Sequence, residues 1–136
     1  LCASVRDNLK NLNVISSQII QAAITVHKAL GPGLLESVYQ TCMVIELGRM
    51  GVEVESEVQL PVFYRGQKVT ELGFRIDLLV ESVVVVELKS VAAVKPVHKK
   101  QLLTYLRLAD KELGLLMNFN EALLKDGISR VINKPL

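Results

Sequence analysis

The chain has 136 residues, 50% of them hydrophobic and 22% charged, which supports one self-sufficient core and excludes a disordered or disulfide-stapled class. Its net charge of +2 is too mild to make the whole surface a polyanion binder, so any nucleic-acid contact must come from a local basic patch. Cys2 and Cys42 give no disulfide framework, and no apolar run nears the ~20 residues of a membrane span. Leu1 to Asn13 lacks the apolar core of a signal peptide, so the expectation is a cytoplasmic protein with no membrane partner.

In chain order, residues 1–13 read as an irregular lead-in and 14–136 as a single domain. From Val14 to Leu30, the apolar residues Ile15, Ile19, Ala22, Val26 and Leu30 recur at helical spacing. Gly31-Pro32-Gly33 stops that helix, and His27, one turn earlier, reads as a helix-end histidine complementing the C-terminal dipole. A second helix is expected from about Leu34 to Met50, with Leu35, Val38, Cys42 and Ile45 inward and Gly51 as the stop signal. Glu36 and Tyr39, three apart, are neighbours on its first turn.

Val52 to Tyr64 alternates and then turns apolar, which reads as a strand, with Pro61 marking an edge or a kink. Glu53, Glu55 and Glu57 fall on its solvated face. Arg65 to Lys68 is a turn, and Val69 to Val80 is expected to return as a second strand carrying Asp77. After Val83 to Val86 a third strand carries Glu87 and Lys89, which are two apart and so share one face.

These charges sit among apolar β-formers, where a carboxylate is costly unless something positive meets it. Asp77 joins Glu87 only if the hairpin is centred on Ser82, with an odd-length loop or a bulge, since a two-residue turn would oppose Asp77 to Val86. The turn lacks Asn-Gly or Asp-Gly, so a bulge beside Asp77 is expected. Two carboxylates held close repel, and a divalent cation is the usual remedy. All-oxygen ligands favour Mg²⁺ or Mn²⁺ over zinc.

Beyond the hairpin, Pro96 is placed for the first turn of a helix running to Ala109, with Leu102, Leu103, Leu106 and Ala109 toward the sheet. Gln101 and Tyr105, four apart, share a face, and Lys95, His98, Lys99, Lys100 and Arg107 make a basic cluster that is either a solvated face or, where it flanks the site, a holder of phosphates that reads no bases. Leu113 to Phe119 reads as a buried strand parallel to the Glu87 strand, because a helix joins the two. A turn at Lys125-Asp126-Gly127 and a last short strand follow. Helix, helix, three strands, helix, strand gives an α/β domain with a mixed central sheet flanked by helices.

Asp77, nine residues, then Glu87-Leu88-Lys89 resembles the core of the PD-(D/E)xK nuclease superfamily, with Ile76 replacing the proline that names the motif. Gly33-x-x-Glu36-x-x-Tyr39 resembles the signature of the GxxExxY protein family, a branch of that superfamily. The resemblance implies a restriction-endonuclease-like core and a metal-dependent nuclease acting on nucleic acid, DNA being the expected substrate. It also implies that Asp77, Glu87 and the Leu88 carbonyl hold Mg²⁺ or Mn²⁺, with Glu36 adding a ligand directly or through water. Lys89 is then implied to orient the attacking water or offset developing charge. Gln101 would steady the site and Tyr105 approach the substrate strand, by similarity to a Gln-x-x-x-Tyr pair in the branch related to recombination exonucleases. The alternative is a nuclease-fold module that binds nucleic acid or a protein partner without cutting. A homodimer through an exposed strand edge is a further expectation.

Overall fold

The computed structural model describes residues 5–69 and 73–134. Cys2 and the 70–72 part of the expected second strand lie outside the described residues. Helix α1 spans Val5–Leu30, α2 Glu36–Arg49 and α3 Pro96–Ala109. Strands β1 (Val54–Leu60), β4 (Phe74–Val80), β5 (Val84–Lys89), β6 (Leu113–Asn118) and β7 (Ile128–Ile132) form one sheet in the order β1-β4-β5-β6-β7, and β2 (Phe63–Tyr64) and β3 (Gln67–Lys68) form a separate small hairpin. β5 and β6 run parallel and the other neighbours antiparallel. The result is the expected α/β domain with a mixed central sheet.

One face of the sheet is covered by α1 and α2, which bury Ile19, Ala22, Ala23, Val26, Tyr39, Met43 and Leu47 over Val84, Val86, Leu88, Leu113, Leu115 and Met117. The other face carries Val85 and Leu116 beneath Leu102, Tyr105 and Leu106 of α3. β5 is central and buried from Val84 through Leu88, as its unbroken valine run requires. Gly114 lets α3 settle closely on β6, since a Cβ there would lie 2.9 Å from Leu102 Cδ1.

Two expectations need correcting. Residues 5–13 are helical and belong to α1: Leu12 packs on the core and Arg130 donates to Asn13 Oδ1 at 2.8 Å, so the apolar stripe begins about a turn before Ile15. The inward face of α2 is Tyr39, Met43 and Leu47, whereas Leu35 is 75% and Ile45 58% exposed. Tyr39 turns the helix: its ring stacks on Phe119 at 4.4 Å, its hydroxyl donates to the Gly31 carbonyl at 2.6 Å, and it accepts from Leu34 N–H at 3.1 Å. A buried aromatic with both polar partners outweighs a stripe of smaller aliphatics.

His27 also does more than end a helix. Its Nε2 is bonded to the Glu121 carbonyl at 2.8 Å, tying α1 to the chain leaving β6. Tyr39→Phe is expected to cost about 1–2 kcal/mol, because it strips the Gly31–Leu34 turn of its buried partner. Thr41→Ala removes an exposed hydroxyl bonded to the Ser37 carbonyl and should change stability little. Urea unfolding of the two variants checks both.

Candidate active site

Asp77 sits where the sheet changes phase. Ile76 packs on the α3 side, while Leu78 and Val80 pack on the α1–α2 side, so the in-out alternation of β4 slips at Asp77. The neighbouring strand slips in concert: Val54 faces the α1–α2 core but Val58 and Leu60 face α3. Between them Glu57 adopts a left-handed φ of 52°. The register pairs Val58 with Ile76 and Ser56 with Leu78, leaving Glu57 opposite Asp77. On the other side, Leu78, Leu79 and Val80 pair with Val86, Val85 and Val84, a register centred on Ser82. The connecting loop Glu81–Val83 has an odd length, turned by left-handed Glu81 and Ser82.

Beyond Leu78 the regular β4–β5 pairing stops, and side chains take its place. The Asp77 N–H donates to Glu87 Oε1 at 3.1 Å, and the Leu88 N–H donates to Asp77 Oδ2 at 2.8 Å. Burial, followed by the charge of Asp77, pushes the Glu87 carboxyl up to about 8. Burial likewise raises Asp77, opposed by the Leu88 N–H and the adjoining Glu87 carboxyl, with the charge of Glu36 adding to the rise. Lys89 lowers both but is the smallest of the causes, and it forms no ion pair among the described residues.

Glu36 reaches the site from the first turn of α2 and accepts from the Ser90 N–H at 3.3 Å, while Ser90 Oγ donates to the Leu34 carbonyl at 2.6 Å. Tyr105 lies beneath α3, 7% exposed, and its phenol is raised by burial and then by the charges of Glu87 and Asp77. It is therefore a core ring whose polar end feels the carboxylates. Gln101, Lys99 and Lys100 are exposed on the first turns of α3, and no hydrogen bond joins Gln101 to the carboxylates among the described residues. No three Asp, Glu, His or Cys side chains gather as a metal cage among the described residues. Two crowded hard-oxygen groups short of positive charge nevertheless fit Mg²⁺ or Mn²⁺, with main-chain or water oxygens completing the shell.

Sequence reasoning missed Ser90 and Asn118. Fully buried Asn118 accepts from Val91 N–H at 3.1 Å and from Asn120 N–H at 3.2 Å, and donates to the Val91 carbonyl at 2.9 Å. It clamps the chain just after Lys89. An asparagine ending an apolar strand was the one available signal. A groove of about 600 Å³ between Leu12, Ile15 and Gln18 of α1 and the Glu81–Val83 loop lies at the opposite end of β5 from the carboxylates and takes no part in the site.

A carboxylate pair and a lysine at the end of the central strands of a mixed sheet define a nuclease-like α/β domain. The chain belongs to the PD-(D/E)XK nuclease superfamily, whose family model matches residues 13–131. Members of that superfamily usually use divalent metal ions. The narrower GxxExxY assignment rests on Gly33, Glu36 and Tyr39 alone. No curated protein and no solved structure gives a significant match.

The raised Glu87 carboxyl has a consequence for stability. Between about 4.5 and about 8 the folded protein holds a proton that the unfolded chain has released, so stability falls as pH rises through that window and levels off above it. In EDTA, the wild type should therefore lose stability relative to Glu87→Gln across that range. Thermal melts of the two proteins in parallel check this, and a pH-independent difference would refute it.

Proposed function

We propose that the protein is a metal-dependent nuclease hydrolysing phosphodiester bonds of nucleic acid, with DNA as its substrate. The observation that carries this reading is the mutual placement of Asp77 and Glu87 in one gap of the β4–β5 ladder, with Lys89 on the same face of β5 as Glu87. A structural ion pair would neutralise its carboxylates. This pair keeps them crowded and raised, as catalytic and metal sites do.

Asp77 and Glu87, with the Leu88 carbonyl, would hold Mg²⁺ or Mn²⁺, and Glu36 would join directly or through water. A divalent cation bound there supplies Lewis-acid stabilisation of the charge that develops on a phosphoryl group. Lys89 offers its ammonium to the attacking water or to a non-bridging oxygen. Lys99 and Lys100 hold flanking phosphates and Gln101, exposed beside them, steadies the bound strand, while the buried Tyr105 backs the carboxylates from the core rather than touching the substrate.

Mg²⁺ or Mn²⁺ should raise the melting temperature of the wild type and support cleavage of labelled oligonucleotides that EDTA abolishes. Asp77→Asn should remove most of the metal-induced shift and the cleavage, and leave the apo protein no less stable. Lys89→Ala should keep the metal shift and cut the rate by about a hundredfold or more. A wild type with neither metal stabilisation nor cleavage, together with an unfolded Asp77→Asn, would make Asp77 a structural hairpin residue.

A further inference from the structure

The chain has three tyrosines and three phenylalanines, and the exposed ones all fall in a single stretch: Phe63 at 60%, Tyr64 at 66% and Phe74 at 44%. Tyr39 and Phe119 are spent on the core. Phe63 and Tyr64 form β2 of the small hairpin, whose Arg65-Gly66 turn takes left-handed φ at both positions, 50° and 77°, the geometry that closes a tight two-residue hairpin. Phe63 opposes Lys68, and Tyr64 opposes Gln67. One face of the ribbon thus shows a ring beside an ammonium, and the other shows a ring with the Arg65 guanidinium 5.8 Å from its centroid. From Val58 to Val69 there is no carboxylate. A two-stranded ribbon has no core of its own to absorb such rings.

The ribbon leaves the sheet beside the site. β1 enters it after Leu60, the register partner of Phe74. Phe74 lies 5.6 Å from the Tyr105 ring, and the charges of Glu87 and Asp77 reach the Tyr105 phenol. Rings therefore lead from the carboxylate pair to the end of the sheet from which the ribbon departs, and the ribbon adds Lys68 and Arg65 beside its own rings. Flat exposed rings alternating with cations suit unpaired bases, because every base offers a π-face while the cations follow the phosphates. Continuous duplex hides those faces in its own stack, and a net charge of +2 offers little for gripping two phosphate backbones.

We infer that the Phe63–Lys68 hairpin and Phe74 form a stacking platform for unpaired bases, so that the proposed nuclease site takes single-stranded nucleic acid or a single-stranded extension. This substrate class rests on the nuclease reading above, but the platform can be tested without cleavage. Fluorescence anisotropy in EDTA would use a fluorescein-labelled oligothymidylate of about 16 nucleotides, within the range of single-strand site sizes, and a blunt duplex of the same length. The single strand should bind at least about tenfold tighter than the duplex. Phe63→Ala combined with Tyr64→Ala should weaken single-strand binding about tenfold or more, whereas Tyr64→Phe, which keeps the ring, should retain it. Equal or tighter duplex binding, or single-strand binding untouched by the double substitution, would overturn the inference and leave the rings to a protein partner. Ring-dependent single-strand binding by a protein that cleaves nothing with Mg²⁺ would sink the nuclease reading and keep the platform. Mg²⁺-dependent duplex cleavage indifferent to both rings would do the reverse.

Discussion

Two carboxylates stand in for backbone hydrogen bonds at the point where β4 parts from β5, and the rest of the site depends on that substitution. A ladder that simply stopped there would leave the Asp77 and Leu88 N–H groups buried without partners, a cost of about 1–3 kcal/mol each. Asp77 Oδ2 and Glu87 Oε1 remove that cost. They introduce another: in a poorly hydrated place, ionising both would set like charges side by side, which is why Glu87 is raised to about 8. The geometry is therefore stable as a hydrogen-bonding arrangement and unsatisfied as an electrostatic one. Only the latter gives a cation reason to bind.

The connections around this gap are held by polar side chains, Tyr39 and Asn118 among them buried, rather than by sheet or helix. Tyr39 closes the Gly31–Leu34 turn, that turn presents the Leu34 carbonyl to Ser90, and Ser90 in turn meets Glu36. The three motif residues thus have separate jobs. Gly33, at φ 93°, permits a turn that a side chain would strain; Tyr39 fixes it; and Glu36 is the acid so delivered. Asn118 and His27 do similar work on the far side, binding the ends of β5 and β6 to one another and to α1.

The central hairpin was legible in the sequence because period-two alternation and a fixed register allow few answers: Glu87 and Lys89 had to share a face, and Asp77 could meet them only if the register centred on Ser82. The parallel Leu113–Asn118 strand followed from the intervening helix. The inward face of α2 was not legible. Leu35, Val38, Cys42 and Ile45 make an equally good helical stripe, and the choice turned on a stack between Tyr39 and Phe119, eighty residues apart, that no local pattern encodes. The start of α1 was lost for a related reason: the sequence before Val14 is mostly polar, and Asn13 is held by Arg130, which lies far along the chain. Gln101 and Tyr105 show the limit of helical spacing. Four residues apart they share a face, yet one is exposed and the other buried, because only Tyr105 lies over the sheet.

Restraint is distributed unevenly among the charged groups, and the distribution fits the parts proposed for them. Asp77 and Glu87 are each pinned by a main-chain N–H, and Glu36 by that of Ser90. Ligands fixed in advance lose little freedom on binding, so their cost has been met during folding. Lys89 is fixed only at its root, where its carbonyl accepts from the Phe119 N–H at 2.8 Å, and its ammonium forms no ion pair among the described residues. A lysine locked to Glu87 would have cancelled the charge that makes the pair attractive to a cation and would have been unable to follow a phosphoryl group as its charge grows. The parallel strand β6 anchors the backbone of Lys89 while α3 leaves its side chain half-exposed. Such a group can interact more strongly with a developing charge than with the ground state, which is the condition for a residue to lower a barrier rather than only to bind.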